Sequence, residues 1–285
     1  MLTVLESIKL SEEYLQKKGI ESPRINAELL LAGILNCNRL DLYLKFDQPL
    51  SEKEKTLYRN YIARRGKKEP LQYILGKVDF FGLKLKVNNS VLIPRPETEL
   101  LVEYILNDLN SNEEISVLDI GSGSGNISIA LAKSLPHAEI TGMDISNAAI
   151  EIAKQNAKIN DITENINFIQ ADIFLELPNG IKKKYDVIVS NPPYVSVEEF
   201  ETLQSEIKDY EPSIAVTDYE DGLKFYKRII ELSGGLLNSG GKIYFELAEG
   251  QSGKVHEILQ KYNFKNIKIK KDYSGIDRII SGVLG

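Results

Sequence analysis

Between residues 117 and 246 short apolar runs alternate with helix-length segments, and that alternation leaves the chain few folds. The runs are Val117-Leu118-Asp119-Ile120, Glu139-Ile140-Thr141-Gly142-Met143-Asp144, Ile166-Asn167-Phe168-Ile169-Gln170, Tyr185-Asp186-Val187-Ile188-Val189 and Lys242-Ile243-Tyr244-Phe245-Glu246. Each has the length and the β-branched and aromatic content of a strand. Helical segments such as Ala148–Asn160 separate them. Strand, helix, strand in this order predicts a mostly parallel sheet covered on both faces. Ile267-Lys268-Ile269 and Arg278-Ile279-Ile280 flank Ser274-Gly275 and read as a closing hairpin, which adds an antiparallel edge.

The first 75 residues read differently. Val4, Leu5, Ile8 and Leu15 fall at roughly helical spacing, and Gly19 stops that segment. Ser22-Pro23 opens a second helix with Ile25, Leu29, Ala32 and Leu35 as its expected inner stripe. Ser51-Glu52-Lys53-Glu54 is a capping box opening a helix that carries Leu57, Tyr61 and Ile62 and ends near Gly66. From Phe80 the period shifts to two. Leu83, Leu85 and Val87 alternate with Lys84 and Lys86, and Asn88-Asn89 supplies a turn before Val91-Leu92-Ile93. The expected division is a small all-helical domain at 1–75, serving for substrate docking, a β-hairpin linker at 76–93 and an α/β domain at 94–285.

Charge narrows the function. Residues 1–75 carry 13 Lys and Arg against 10 Asp and Glu, a net of +3, while the remainder carries 22 against 31, a net of −9. Nucleic-acid binding is dominated by phosphate neutralisation, so the larger part is not built to lie along nucleic acid. Arg64-Arg65-Gly66-Lys67-Lys68 is the one dense basic cluster, and it reads as a solvated helix end ahead of a docking patch. No apolar run approaches the roughly 20 residues of a membrane span, and the acidic start does not read as a signal peptide. A single cysteine, Cys37, excludes an internal disulfide and fits a cytoplasmic setting, with Cys37 itself expected in the core. Two histidines and one cysteine make a soft-ligand metal site unexpected.

Three motifs carry chemistry. Asp119-Ile120-Gly121-Ser122-Gly123-Ser124-Gly125 follows a strand and precedes a helix, where glycines let the backbone turn sharply and approach a ligand. Asp144 ends the next strand, 19 residues after Gly125, where a carboxylate can accept both hydroxyls of a ribose. These features fit a dinucleotide or S-adenosyl-L-methionine. The spacing is GxGxG with Asp119 two positions ahead. That carboxylate would face a methionine amino group and repel a pyrophosphate, which favours S-adenosyl-L-methionine. Asp172 and Ile173, after the third strand, would flank the adenine, although Asp172 as a simple helix cap reads comparably well.

The third motif, Ser190-Asn191-Pro192-Pro193-Tyr194, is the most specific. Two prolines hold the chain extended and remove two amide donors. The Asn191 side-chain oxygen and the Pro192 carbonyl can then both accept hydrogens from one NH2 group, with Tyr194 offering an aromatic face. A planar amide or exocyclic amine is a poor nucleophile, because its lone pair is conjugated. Two acceptors pulling on its hydrogens raise the electron density on nitrogen.

Asn191-Pro192-Pro193-Tyr194, with Leu92-Ile93-Pro94-Arg95-Pro96-Glu97-Thr98-Glu99 and Glu69-Pro70-Leu71-Gln72-Tyr73-Ile74-Leu75-Gly76, resembles the release factor glutamine methyltransferase family, called PrmC or HemK. The resemblance covers nearly the whole chain. It implies a Rossmann-like class I methyltransferase sheet behind a helical domain and hairpin. It implies S-adenosyl-L-methionine as cofactor, S-adenosyl-L-homocysteine as product, and methylation of the glutamine in the Gly-Gly-Gln tripeptide of class 1 peptide chain release factors. Carried over, Gly121, Ser122, Gly123, Ser124, Gly125, Asp144, Ile173 and Asn191 contact cofactor, and Asn191, Pro192, Pro193 and Tyr194 hold the glutamine. Asn191, Pro192 and Tyr194 are the expected catalytic residues, and no metal, membrane or direct nucleic-acid partner is expected. The alternatives are a DNA or RNA amino-methyltransferase, which shares Asn-Pro-Pro-Tyr, and a non-catalytic docking protein of the same fold. Arg95 and Glu97 read equally as a stiff linker or a lid.

Overall fold

The computed structural model describes residues 2–109, 113–181 and 184–285. The chain divides into two compact units, Met1–Lys77 with Gln204–Tyr210, and Val78–Leu203 with Glu211–Gly285.

The first unit is helical: α1 (Val4–Lys17), α2 (Pro23–Leu35), a 3-10 helix (Arg39–Lys45), α3 (Glu52–Arg65) and α4 (Leu71–Leu75). Its core gathers Val4, Ile8, Leu15, Leu30, Leu31, Leu42, Tyr58 and Ile62, and Cys37 packs against it partly buried. Ser51 and Glu54 cap α3 reciprocally, at 3.3 Å from the Glu54 amide to Ser51 Oγ and 2.7 Å from the Ser51 amide to Glu54 Oε2. Thr3 and Glu6 cap α1 in the same way.

Two expectations need correction here. The buried face of α2 is Ala27, Leu30, Leu31 and, as expected, Ala32, while Ile25 is exposed. This helix is apolar over more than one face, so spacing alone turns its stripe the wrong way. The basic cluster is not simply a solvated helix end either. Arg65 is buried and donates to Asn26 Oδ1 at 2.7 Å, the Glu69 carbonyl at 3.1 Å and Glu206 Oε1 at 2.8 Å, and Arg64 pairs with Glu69. Glu206 lies in α9 (Ser205–Lys208), a distant stretch of chain that belongs to this unit, where Tyr210 also donates its hydroxyl to the Lys67 carbonyl at 2.7 Å.

Next in the chain is a hairpin, β1 (Lys77–Phe80) and β2 (Leu83–Lys86), which from Val78 onward belongs to the second unit. Its tip is Phe81-Gly82, both at positive φ (48° and 71°), and not the expected Asn88-Asn89. A two-residue turn with both residues left-handed matches the twist of paired strands. The amide of Phe81 donates to Glu99 Oε1 at 2.8 Å, which pins the tip. Asn88 instead closes a local turn by accepting from the Ser90 amide, and residues 91–93 lie outside the strands.

There follow α5 (Pro96–Asp108), β3 (Ser116–Ile120), α6 (Asn126–Ser134), β4 (Glu139–Asp144), α7 (Asn147–Ile159), β5 (Ile166–Gln170) and β6 (Tyr185–Ser190). Then come α8 (Val197–Thr202), α10 (Ser213–Val216), α11 (Lys224–Leu236), β7 (Leu237–Glu246), α12 (Ser252–Lys261), β8 (Phe264–Lys271) and β9 (Asp277–Leu284). Seven strands form one sheet in the order β5-β4-β3-β6-β7-β9-β8. β3 pairs in parallel with β4 and β6, β4 with β5, and β6 with β7, while β9 runs antiparallel to both β7 and β8.

Alternate residues of the central strands feed two cores. Val117, Ile140, Val187 and Val189 face α5, α6 and α7. Leu118, Ile188, Ile243 and Phe245 face α11 and α12. Burial on both faces is why these strands are unbroken apolar runs rather than alternating ones. The order reverses between β3 and β6, so their carboxyl ends diverge into a crevice, the usual place for a ligand in an open α/β sheet.

Candidate active site

Two of the sequence motifs leave the sheet at that reversal. The glycine loop follows β3 and Asn191-Pro192-Pro193 follows β6. A cavity of about 300 Å3 lies there, within the size range of small-molecule sites. Gly121, Gly123, Asp144, Asp172, Ile173, Asn191, Pro192 and Pro193 line it. Ile145, Ser146, Phe174, Pro212, Ile214, Tyr219, Lys224 and Phe225 line it as well. None of this second group stands out in the sequence, because each comes from a loop or helix end with no period of its own.

Gly121, Gly123 and Gly125 all take positive φ (78°, 52° and 80°), so the loop bends in a way that side-chain-bearing residues resist. Four hydrogen bonds hold it to its neighbours. The Gly121 and Ser122 amides donate to the Met143 carbonyl at 2.8 and 2.9 Å. The Gly123 amide donates to Asp144 Oδ2 at 2.9 Å. Asn156 of α7, fully buried, donates to the Ser124 carbonyl at 2.9 Å. Asn156 also bridges to β2, accepting from the Lys86 amide at 2.6 Å and donating to the Lys86 carbonyl at 3.0 Å. The hairpin and the glycine loop are thus anchored on one side chain.

Asp144 accepts from the Ser146 amide at 2.9 Å through its other oxygen. Burial raises its pKa, and the bonds from the Ser146 and Gly123 amides work against that rise. A carboxylate has about four lone-pair sites, so two amide bonds leave acceptor capacity toward the cavity.

Asp119, Ser122, Ser124 and Gly125 do not line the cavity; they stand behind its wall. Asp119 is fully buried, with Oδ2 accepting from the Ser128 hydroxyl at 2.5 Å and the Ser128 amide at 3.1 Å. Burial pushes its carboxyl up to about 7, against the lowering effect of the Ser128 bonds. Asp119 Oδ1, Ser122 Oγ and Ser124 Oγ are buried with no hydrogen-bond partner in the chain. A buried polar atom left unbonded costs about 1–3 kcal/mol, so these three, one at the end of β3 and two in the loop behind the cavity wall, leave polar capacity that the chain itself does not satisfy. With a ribose-competent carboxylate at Asp144 and the apolar Ile173 beside it, the residues fit S-adenosyl-L-methionine.

Asp172 Oδ1 accepts from the Phe174 amide at 2.8 Å, so one of its oxygens closes a local turn. Tyr194 lies outside the cavity lining. Its ring packs against the α11 and α12 core, and its hydroxyl faces Glu246 Oε1 at 3.5 Å. Burial, then the neighbouring Glu246 charge, raise its pKa. Its carbonyl accepts from Gln251 Nε2 at 2.9 Å, which fixes where the proline pair ends. Among the described residues no group of three His, Cys, Asp or Glu could hold a metal ion, and no helix is long and apolar enough to cross a membrane.

Known proteins resemble this chain throughout its length. Residues 6–76 match the family described as PrmC N-terminal domain, and residues 111–214 match one described as methyltransferase domain. A release factor glutamine methyltransferase of Fusobacterium nucleatum is 44% identical over 97% of this chain and 77% of its own length. One from Geobacter sulfurreducens is 40% identical over 99% and 97%. The crystal structure of a methyltransferase from Pyrococcus furiosus shares the fold with a TM-score of 0.53, at 18% identity over 82% of this chain and 98% of that one. With the resemblance spanning the helical unit, the sheet and both loops at its reversal, the chain belongs to the release factor glutamine methyltransferase family.

Proposed function

We propose that this chain methylates the side-chain amide nitrogen of the glutamine in the Gly-Gly-Gln tripeptide of class 1 release factors, in the cytoplasm. S-adenosyl-L-methionine is the donor and S-adenosyl-L-homocysteine the product. The observation that carries this reading is one cavity lined both by Gly121, Gly123, Asp144 and Ile173 and by Asn191, Pro192 and Pro193. When bound, the cofactor supplies a methyl group made electrophilic by a positively charged sulfur.

The chain's own residues do the rest. Asp144 accepts from the ribose hydroxyls, Ile173 covers the adenine face with Asp172 beside its amino group, and Gly121 and Gly123 meet the methionine end with Asp119 behind them. Asn191 Oδ1 and the Pro192 carbonyl accept the two hydrogens of the substrate amide, which orients its nitrogen and enriches it in electron density. Positioning of this kind supplies most of the acceleration in a reaction between two bound groups. No histidine is among the described residues that line the cavity; in this reading the nitrogen's proton passes to water after the methyl arrives. Tyr194 supports the proline pair from behind, and the helical unit docks the release factor.

Incubation with radiolabelled S-adenosyl-L-methionine and purified release factor, followed by mass mapping, tests this. One methyl group on the tripeptide glutamine is expected. Label that appears only on added DNA or RNA would favour an amino-methyltransferase of nucleic acid, a reading the net charge of −9 after residue 75 opposes.

A further inference from the structure

Three side chains at the carboxyl ends of β6 and β7 form a linear chain of hydrogen bonds. Asn191 Nδ2 donates to Thr98 Oγ1 at 3.2 Å, and Thr98 Oγ1 donates to Glu246 Oε2 at 2.6 Å. Thr98 belongs to the first turn of α5, and Glu246 is the last residue of β7. Both are buried, at 1% and 2% exposure. A threonine hydroxyl has one hydrogen. With that hydrogen committed to the carboxylate, Thr98 Oγ1 can only accept from Asn191. The Asn191 NH2 must then turn inward, and Oδ1 is the polar atom it can offer to the cavity it lines.

We propose that Thr98 and ionised Glu246 are positioning residues that hold the Asn191 side chain with Oδ1 toward the substrate amide, an inference that rests on Asn191 serving as an acceptor for that amide. Protonation of Glu246 releases the constraint. A carboxylic acid can donate to Thr98 Oγ1, which frees the hydroxyl hydrogen for Asn191. A flipped Asn191, with its NH2 toward the cavity, is then equally well bonded, and it offers the substrate nitrogen no acceptor.

The surroundings of Glu246 put this switch near neutrality. Burial is the largest influence and pushes its carboxyl up to about 7. The Thr98 bond opposes the rise, Glu97 on α5 adds to it, and Arg278 on β9 and the Tyr194 hydroxyl oppose it. Tyr226 on α11 donates to the Glu246 carbonyl at 2.7 Å and leaves the carboxylate alone.

The test compares wild type, Thr98→Ser, Thr98→Val and Glu246→Gln for kcat and KM on a release factor, and for cofactor affinity, across the neutral pH range. Thr98→Val and Glu246→Gln should lower kcat about tenfold or more, as expected for losing the aim of one preorganised polar contact. Cofactor affinity should change little. Thr98→Ser keeps the hydroxyl and should restore kcat. Wild-type kcat should rise with pH through a midpoint near about 7, and Glu246→Gln should lack that rise. A folded Thr98→Val with wild-type kcat, or a Thr98→Ser as impaired as Thr98→Val, overturns the proposal.

Should the valine variant not fold, the wild-type protein labelled with 15N-asparagine still decides. The Asn191 side-chain NH2 resonances should shift with pH in step with Glu246 and stop shifting in Glu246→Gln; resonances indifferent to pH overturn the proposal. That spectrum needs no methyl acceptor. A wild type that never methylates release factor therefore counts against the proposed function and not against this arrangement.

Discussion

Arg95 and Glu211, 116 positions apart, form an ion pair in which the Glu211 side chain is buried and the Arg95 side chain is 32% exposed. The second oxygen of Glu211 accepts from the Ile93 amide at 3.1 Å, so one side chain straps Ile93 and Arg95 together. Arg95→Ala leaves that carboxylate buried and unpaired. Breaking a buried pair from one side costs about 3–5 kcal/mol, and the part-exposed arginine side chain places this case at roughly 2–3 kcal/mol. Glu211→Gln can still accept from Ile93 and should lose less. Urea unfolding midpoints measure both, and an Arg95→Ala protein as stable as wild type would count against the strap.

Asp144→Ala should weaken cofactor binding. Charge-assisted bonds to ribose hydroxyls contribute ~1.5–3 kcal/mol each at most, less when water replaces them. The substitution also removes acceptors for the Gly123 and Ser146 amides, so the glycine loop loosens. Calorimetric titration with S-adenosyl-L-methionine is the measurement, and unchanged affinity would sink the ribose assignment.

Asn191→Ala should abolish most methyl transfer while the protein stays folded. It removes one of two acceptors aimed at the substrate nitrogen, and loss of one preorganised contact lowers rates on the order of a hundred- to a thousandfold. The defect should persist at saturating cofactor in single-turnover assays. A folded variant keeping more than about a third of the wild-type rate would make Asn191 a turn residue only.

Buried Glu246 should make stability fall as pH rises. Its folded pKa of about 7 lies above its ordinary value of 4.5, so between these values the native state holds a proton that the unfolded state has released. Stability contributed by the protonated form is full below about pH 4.5 and is lost by about pH 7, a total on the order of 3 kcal/mol. Glu246→Gln should therefore gain in melting temperature over wild type as pH rises through that window. A constant difference across it would show that the carboxyl is not shifted upward.

Gly222→Ala should disturb the proline pair from outside the cavity. Gly222 takes φ +78°, and a Cβ there would lie 2.4 Å from the Tyr194 carbonyl oxygen and 2.8 Å from Gln251 Nε2. That is the pair whose hydrogen bond fixes Tyr194. Backbone oxygen cannot yield as a flexible side chain would, so methyl transfer should fall at least about tenfold with a loss of roughly 1–3 kcal/mol in stability. Full activity in Gly222→Ala would mean that the Tyr194 backbone can move without consequence.

Much of this protein is legible in the chain. Strands buried on both faces must be apolar runs, so Val117–Ile120 and Tyr185–Val189 could be read directly, as could the hairpin around Ser274-Gly275 and the capping box at Ser51 and Glu54. The glycine loop and the two prolines after Asn191 are local devices whose conformation depends on their own residues. What only the tertiary structure decided is which distant side chains serve them. Nothing periodic marks Thr98 and Glu246 as partners of Asn191, Asn156 as the anchor of both Ser124 and Lys86, or Glu206 as the partner of Arg65. The hairpin tip at Phe81-Gly82 escaped for a related reason. Its left-handed phenylalanine is held by a bond to Glu99, 18 residues away. Local structure repeats with the geometry of the backbone and leaves a period in the sequence, whereas a buried hydrogen bond between remote residues needs one side chain at each end and leaves none.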